Sequence, residues 1–268
     1  MGCGGATSIP VHGALSLLVT GNPKYKRQIK KAPRFFSEKY RLANDPSHEE
    51  LIAKTGGLDN WQNCMVGIFL GGYLLATGDE VVLDALMDNC RRMEARLQAE
   101  TGRLGHGSAD LPYGGKGLVI INVHAHIMWA LAAQYQELEW DWDRWELSFR
   151  AVQAAMTKDA AVGYNFSARS GGQSGSRTGA MATALALSGR DRSTARRMGT
   201  WLSEHRREFP NTHAMTSLGI VFGVTGIKRW RGRRDPIARG RWCGTQPGRF
   251  ETSVSLQAGA LLPRRSLV

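Results

Sequence analysis

One segment concentrates residues able to move a proton. From Gly102 to Gly117 the chain reads Gly-Arg-Leu-Gly-His-Gly-Ser-Ala-Asp-Leu-Pro-Tyr-Gly-Gly-Lys-Gly, which brings His106, Asp110, Tyr113 and Lys116 close together. An imidazole titrates near neutral pH and can act as acid or base, with a carboxylate, a phenol and an ammonium beside it to bind or polarise a substrate. The bland alternative is a glycine-rich turn whose His and Tyr satisfy backbone groups. A P-loop is excluded, because Gly115-Lys116 is followed by Gly117 and Asp110 stands where the leading glycine belongs.

Other candidates cluster in later segments. His213 follows Asn211-Thr212 at the start of an apolar stretch, and Tyr164 and Arg177 bracket a segment containing Gly171, Gly172 and Gly175. An arginine in such a loop can bind a carboxylate or phosphate, although a solvated charge is the commoner outcome. His124 and His126 are two residues apart on different faces of one helix. One is expected to be buried and hydrogen-bonded and the other to line a cavity, whereas a metal pair needs i, i+4 spacing. The four cysteines form no C-x-x-C pair. Neither a metal nor a cofactor is therefore expected. Trp140, Trp142 and Trp145, interleaved with Asp141 and Asp143, are read as wedges between repeats beside a helix cap rather than as a sugar platform.

The elements that must position these residues are helices in a repeat. Uncharged segments end alike, in Val-Thr-Gly-Asn at 19–22, Ala-Thr-Gly-Asp at 76–79, Leu-Ser-Gly-Arg at 187–190 and Val-Thr-Gly-Ile at 224–227. Their glycines are 57, 111 and 37 residues apart, which is a period near 55 with one degenerate ending and one short gap. A glycine just past a helix supplies the left-handed closing conformation, and the next Asn or Asp caps the following helix, so each ending predicts a tight turn between antiparallel helices. The helix before each turn is apolar all round and belongs inside. The helix after it is one-sided, as in Val82, Leu86, Cys90, Met93 and Leu97, with Arg91, Arg92, Glu94 and Arg96 opposite, and belongs outside.

The predicted fold is therefore all-α: helical hairpins of inner and outer helices forming an α/α toroid. Four pairs (1 to 37, 60 to 98, 117 to 158 and 178 to 207) and a fifth inner helix over 213 to 226 make an incomplete ring of about four and a half pairs. The longer connections, Ser37 to Asn60, Thr101 to Lys116, Asp159 to Arg177 and Arg206 to Thr212, all fall where inner helices begin. Binding loops commonly gather on such a rim, and the converging helix N-termini favour an anionic substrate.

Composition narrows the class. The 268 residues carry 35 Lys+Arg against 23 Asp+Glu, a net +12, and 42% are hydrophobic, enough for a large core. Residues 228 to 268 hold ten Lys+Arg and two acids, so +8 of the charge lies in a segment rich in Gly, Pro and Arg with no helical period. Two domains are expected: toroid repeats over 1–227 and a basic, poorly ordered tail over 228–268. Nucleic acid would then bind only non-specifically, through the tail. The abrupt start, the short last repeat and the aperiodic tail predict a piece of a longer product, or a shifted reading frame, and self-association through the open end of the ring. No secretory signal pattern is present. The uncharged Gly117 to Gln136 contains Asn122, His124, His126 and Gln134, which argues for a buried helix rather than a membrane span.

The run Gly2-Cys3-Gly4-Gly5-Ala6-Thr7, the Leu-Leu-Ala-Thr-Gly-Asp ending after Trp61, Gly105-His106-Gly107, Tyr113-Gly114-Gly115, and Glu208 with His213 together resemble an uncharacterised bacterial family. It is a domain of unknown function with a terpenoid-cyclase-like α/α toroid. The resemblance covers most of residues 1 to 227 and implies that fold, longer relatives often preceded by a PDZ-like module, and His106, Tyr113 and His213 as the residues to carry over. Asn211-Thr212-His213-Ala214 departs from the Gly-His-Thr run of the family.

The expected function is acid/base chemistry at the loop-rich rim, lyase-like or hydrolytic, on a carbohydrate or other polyhydroxylated substrate. His106, Tyr113 and His213 are its catalytic candidates, and Asp110, Lys116, Tyr164 and Arg177 bind a glycan or anionic small molecule. In the lyase version Tyr113 or His106 removes a proton, and His213 or Arg177 neutralises an acidic group. Glycosidase chemistry would need two carboxylates across a cleft, and Asp110 has no evident partner. Terpene cyclisation lacks an Asp-x-Asp-Asp run. A non-enzymatic helical-repeat binding module, or an inactive fragment, is the alternative.

Overall fold

The computed structural model describes residues 11, 13–15, 17–18, 23–42, 46–53, 59–107, 117–135, 142–166 and 175–211. The predicted inner helix over 213–226 and the segment 228–268 lie outside them, as do Asp110, Tyr113, Lys116 and His213. The described chain is helical: α1 Lys26–Tyr40, α2 His48–Ile52, α3 Asp59–Thr77, α4 Leu83–Ala95, α5 Val119–Ala132, α6 Trp142–Ala154, α7 Gly175–Ser188 and α8 Arg192–Glu204. Among the described residues there is no strand, only an isolated bridge between Met156 and Val162.

The tight turns form as the sequence predicts. Gly78 and Gly189 adopt φ of 66° and 73°, and their N–H groups donate to the carbonyls of Leu74 and Leu185 at 2.7 and 3.0 Å. These left-handed residues close α3 and α7. Asp79 then accepts the Val81 N–H. At the second turn the cap falls one residue later than the Gly-Arg pair suggests, on Asp191, which accepts the Thr194 N–H at 3.1 Å.

Helices α3, α5 and α7 pack side by side, with α4, α6 and α8 against them in that order. α3 and α5 run parallel: the Cys64 thiol reaches the Ile121 carbonyl, and Gly67 and Gly71 face Met128 and Leu131. The ends of α5 and α7 meet where Gln134 donates to the Leu187 carbonyl at 2.8 Å. The outer helices are antiparallel to their inner partners, since Arg96 bonds Asn60 across α4 and α3 and Ser148 bonds Asn122 beside α6 and α5. Inner helices are accordingly enclosed, with Phe69, Leu70, Ile121, Met128 and Met181 buried. Each such side chain stabilises the fold by about 1.5–3 kcal/mol.

Two expectations about faces are corrected. Arg92 and Arg96 do not lie on the outer surface of α4 but are buried, because residues 50–53 cross over them and supply carbonyl acceptors. His124 and His126 are both buried, so neither lines an open cavity. Trp145 fills the space over His126, its ring centroid 4.3 Å away, a contact within one hairpin.

Candidate functional site

The N-terminal ends of α3 and α5 converge on the segment 102–107. The Asn60 amide donates to the carbonyls of Gly105 and Gly107 at 2.9 and 2.8 Å, and its own N–H donates to the His106 carbonyl at 3.0 Å. From the α5 side, Asn122 takes the Leu104 N–H at 3.0 Å and donates to the Gly102 carbonyl at 2.8 Å. Leu118 N–H closes on the Leu104 carbonyl at 2.9 Å. The histidine is thus held on both flanks by buried amides that each use several hydrogen-bonding positions, an arrangement that fixes a loop because every lost bond would leave a buried polar group unpaired.

Arg96 extends the clamp. Its guanidinium donates to Asn60 Oδ1 at 2.8 Å, to the Leu51 carbonyl at 3.2 Å and to the Ala53 carbonyl, and faces Asp59 at 3.9 Å with both side chains buried. Burial lowers the Arg96 pKa to about 10, and Asp59 opposes that fall. The cation orients Asn60 so that its NH2 points at the histidine loop.

His106 itself is half-buried. The Trp61 indole N–H donates to its Nδ1 at 2.9 Å, and the two rings lie nearly parallel, edge to edge, with centroids 6.3 Å apart and an interplanar angle of 24°. Nδ1 therefore acts as the acceptor, which places the ring proton on Nε2. Burial pushes the imidazole pKa below its ordinary value. At neutral pH this residue is an uncharged ring offering an Nε2–H donor.

Of the four expected binding residues, Tyr164 and Arg177 are described and lie together. The Arg177 guanidinium, at the start of α7, lies 5.3 Å from the Tyr164 ring centroid, and burial brings its pKa down to about 10. Next to them the Val162 N–H donates to Thr178 Oγ1 at 2.9 Å. A second arginine, Arg103, lies 5.1 Å over Phe166 and so ties the His106 segment to the segment that carries Tyr164. Trp61, Asn60, Arg96 and Arg103 were not singled out from sequence. The polar Asp59-Asn60 step that opens α3 was the visible signal for the first two.

A cavity of about 320 Å³ among Glu146, Phe149, Gln153, Arg190 and Asp191 lies elsewhere, beside the Gly189 turn. Among the described residues no three His, Cys, Asp or Glu side chains are grouped to hold a metal. No described helix is long and apolar enough to cross a membrane.

Fold and site together define a helical-hairpin protein whose inner-helix N-termini carry a buttressed histidine loop. A family profile described as a domain of unknown function (DUF6288) matches residues 6–132, which include α1 to α5 and His106. The chain is thus similar over that segment to an uncharacterised domain family. No curated protein and no solved structure matches it.

Proposed function

We propose that the helical hairpins belong to an α/α toroid of the terpenoid-cyclase-like kind, and that its loop-bearing end acts on an anionic, polyhydroxylated substrate, a uronic-acid-type glycan being the best fit. The observation that carries this reading is the Trp61 to His106 hydrogen bond, which makes His106 a neutral Nε2–H donor rather than a base. Such a donor suits a lyase: it hydrogen-bonds the substrate carboxyl oxygen on which charge develops when the adjacent C–H is ionised. Tyr113 is then the base. It takes the proton from carbon, the C–H electron pair becomes the new double bond as the C–O bond breaks, and the same proton passes to the departing oxygen. Arg177, with His213, pairs with the substrate carboxylate, supported by Arg177 lying against Tyr164 in one of the rim segments. Asp110 and Lys116 complete the polar lining.

The test is a panel of neutral and acidic glycans and esters, read by the ultraviolet absorbance of an unsaturated sugar and by reducing-end release. His106→Gln, which keeps an N–H donor near the Nε2 position, should retain far more turnover than His106→Ala, whose loss should be about 10²-fold or greater. Equal loss in both variants would make His106 a proton-transfer group and overturn the donor assignment. Saturable glycan binding without any product would favour the binding-module alternative.

A further inference from the structure

The net charge of the chain is not carried by its end alone. Residues 24–41 hold eight Lys+Arg and the single acid Glu38, a net +7, whereas residues 42–227 hold 17 Lys+Arg and 20 Asp+Glu, a net −3. The basic stretch is α1 and its flanks, and the remainder of the repeat body is slightly acidic.

On α1 the charges are displayed on one side. Pro33, Phe36 and Tyr40 are buried against the core, with Ile29 and Ala32 partly so, and the Phe36 and Phe69 ring centroids are 5.5 Å apart. Arg27, Lys30, Lys31 and Arg34, spaced i, i+3, i+4 and i+7, are all exposed. Among the described residues none of these four forms an ion pair. On the adjoining stripe Phe35 is 49% exposed, with the Lys39 ammonium 5.9 Å from its ring centroid.

This arrangement is locally unfavourable to the helix. Like charges three and four residues apart repel. The first turn of α1 has no acidic residue, and Tyr25 makes no side-chain capping bond, so Lys24 and Arg27 lie at the positive end of the helix dipole, where cations destabilise. An ordinary solvated face mixes both signs. A bound polyanion would relieve both the repulsion and the dipole conflict.

We propose that this face of α1 is a docking surface for the phosphate backbone of single-stranded nucleic acid, with Phe35 as a stacking platform for a base. Arg27 to Arg34 spans about 10 Å, a length over which a strand presents about three phosphates, and an exposed aromatic beside a cationic stripe is the pairing that single strands use. An acidic membrane surface fits less well. The apolar side of α1 is already packed inside the protein, which leaves only Phe35 to insert.

The experiment measures anisotropy of a labelled oligothymidylate of about 20 nucleotides with the full chain, between about 50 and 200 mM salt. Replacing Arg27, Lys30, Lys31 and Arg34 together by Gln should weaken binding about tenfold or more and flatten the logarithmic salt slope by about 2. The charge-preserving R27K/R34K variant should keep the slope. Phe35→Ala should weaken binding about fivefold or more without changing it. If the fourfold variant loses its helical circular dichroism, K30Q/K31Q alone should flatten the slope by about 1.4. The same differences should persist when Arg229, Arg231, Arg233 and Arg234 are all replaced by Gln, which separates α1 from the basic tail. Unchanged affinity and slope in the α1 variants would overturn the proposal, as would binding to phosphatidylserine vesicles with none to the oligonucleotide.

Discussion

The indole N–H of Trp61 donates to Nδ1 of His106 at 2.9 Å, from a residue 45 positions earlier in the chain. Trp61 sits in the first turns of α3, next to the Asn60 amide that grips the carbonyls on either side of the histidine. One helix end thus sets both the backbone and the ring of His106. Protonating the ring would require Nδ1 to carry a hydrogen where the indole N–H already points, so this contact and burial both favour the neutral form.

Removing that donor should be visible without any substrate. In Trp61→Phe the His106 pKa should rise toward its ordinary value, and ring nitrogen NMR shifts should change from one tautomer to a mixture. An unchanged tautomer would mean that the indole does not hold the proton position.

The Arg96 clamp predicts a stability effect. Arg96→Met takes away a buried cation that satisfies Asn60 and two backbone carbonyls and faces Asp59. A loss of about 3 kcal/mol is expected in urea unfolding. Adding Asp59→Asn should restore part of it, because the carboxylate left behind is then neutral. Full additivity of the two substitutions would show that the ion pair is not the cause.

His126 should impose a pH dependence. Its ring lies among Trp129, Trp145 and Phe149, and burial lowers its pKa to about 3. The unfolded chain takes up this proton near pH 6.5, whereas the folded chain takes it up only near pH 3. Stability is therefore fullest above pH 6.5 and falls as the pH drops through that window, by about 5 kcal/mol in total. Urea melts at neutral and mildly acid pH should differ less in His126→Leu than in the parent.

Two left-handed glycines should respond differently to alanine. At Gly189 the φ is 73° and the space around a Cβ is open, so Gly189→Ala should cost about 1 kcal/mol. At Gly102, with φ of 65°, a Cβ would lie 2.3 Å from the Leu147 carbonyl oxygen. Gly102→Ala should cost about 3 kcal/mol or more and free the loop that holds His106. Thermal melts compare them directly; equal costs would mean the 102–107 loop moves aside without penalty.

The hairpin plan was legible because it rests on local rules. Gly78 and Gly189 close helices for a steric reason that any sequence carries, and the apolar runs at 61–74 and 119–132 have no exposed side to offer. The candidate site was legible only in part. His106, Tyr164 and Arg177 could be named from loop position and chemistry, but Trp61 and Asn60 read as ordinary members of an apolar helix. Arg92 and Arg96 read as surface charges because helical periodicity reports the face a residue occupies, not what later crosses that face.

The sequence by itself determined the long helices, the tight turns at Gly78 and Gly189 and the segregation of positive charge into residues 24–41 and 228–268. These follow from the conformational range of single residues, from periodicity and from counting. The tertiary structure decided the state of His106: which nitrogen carries its proton, how its loop is held, and that it is neutral. Those properties depend on a donor 45 residues away and on the loss of water around the ring. Such contacts exist only once α3, α4 and α5 have packed.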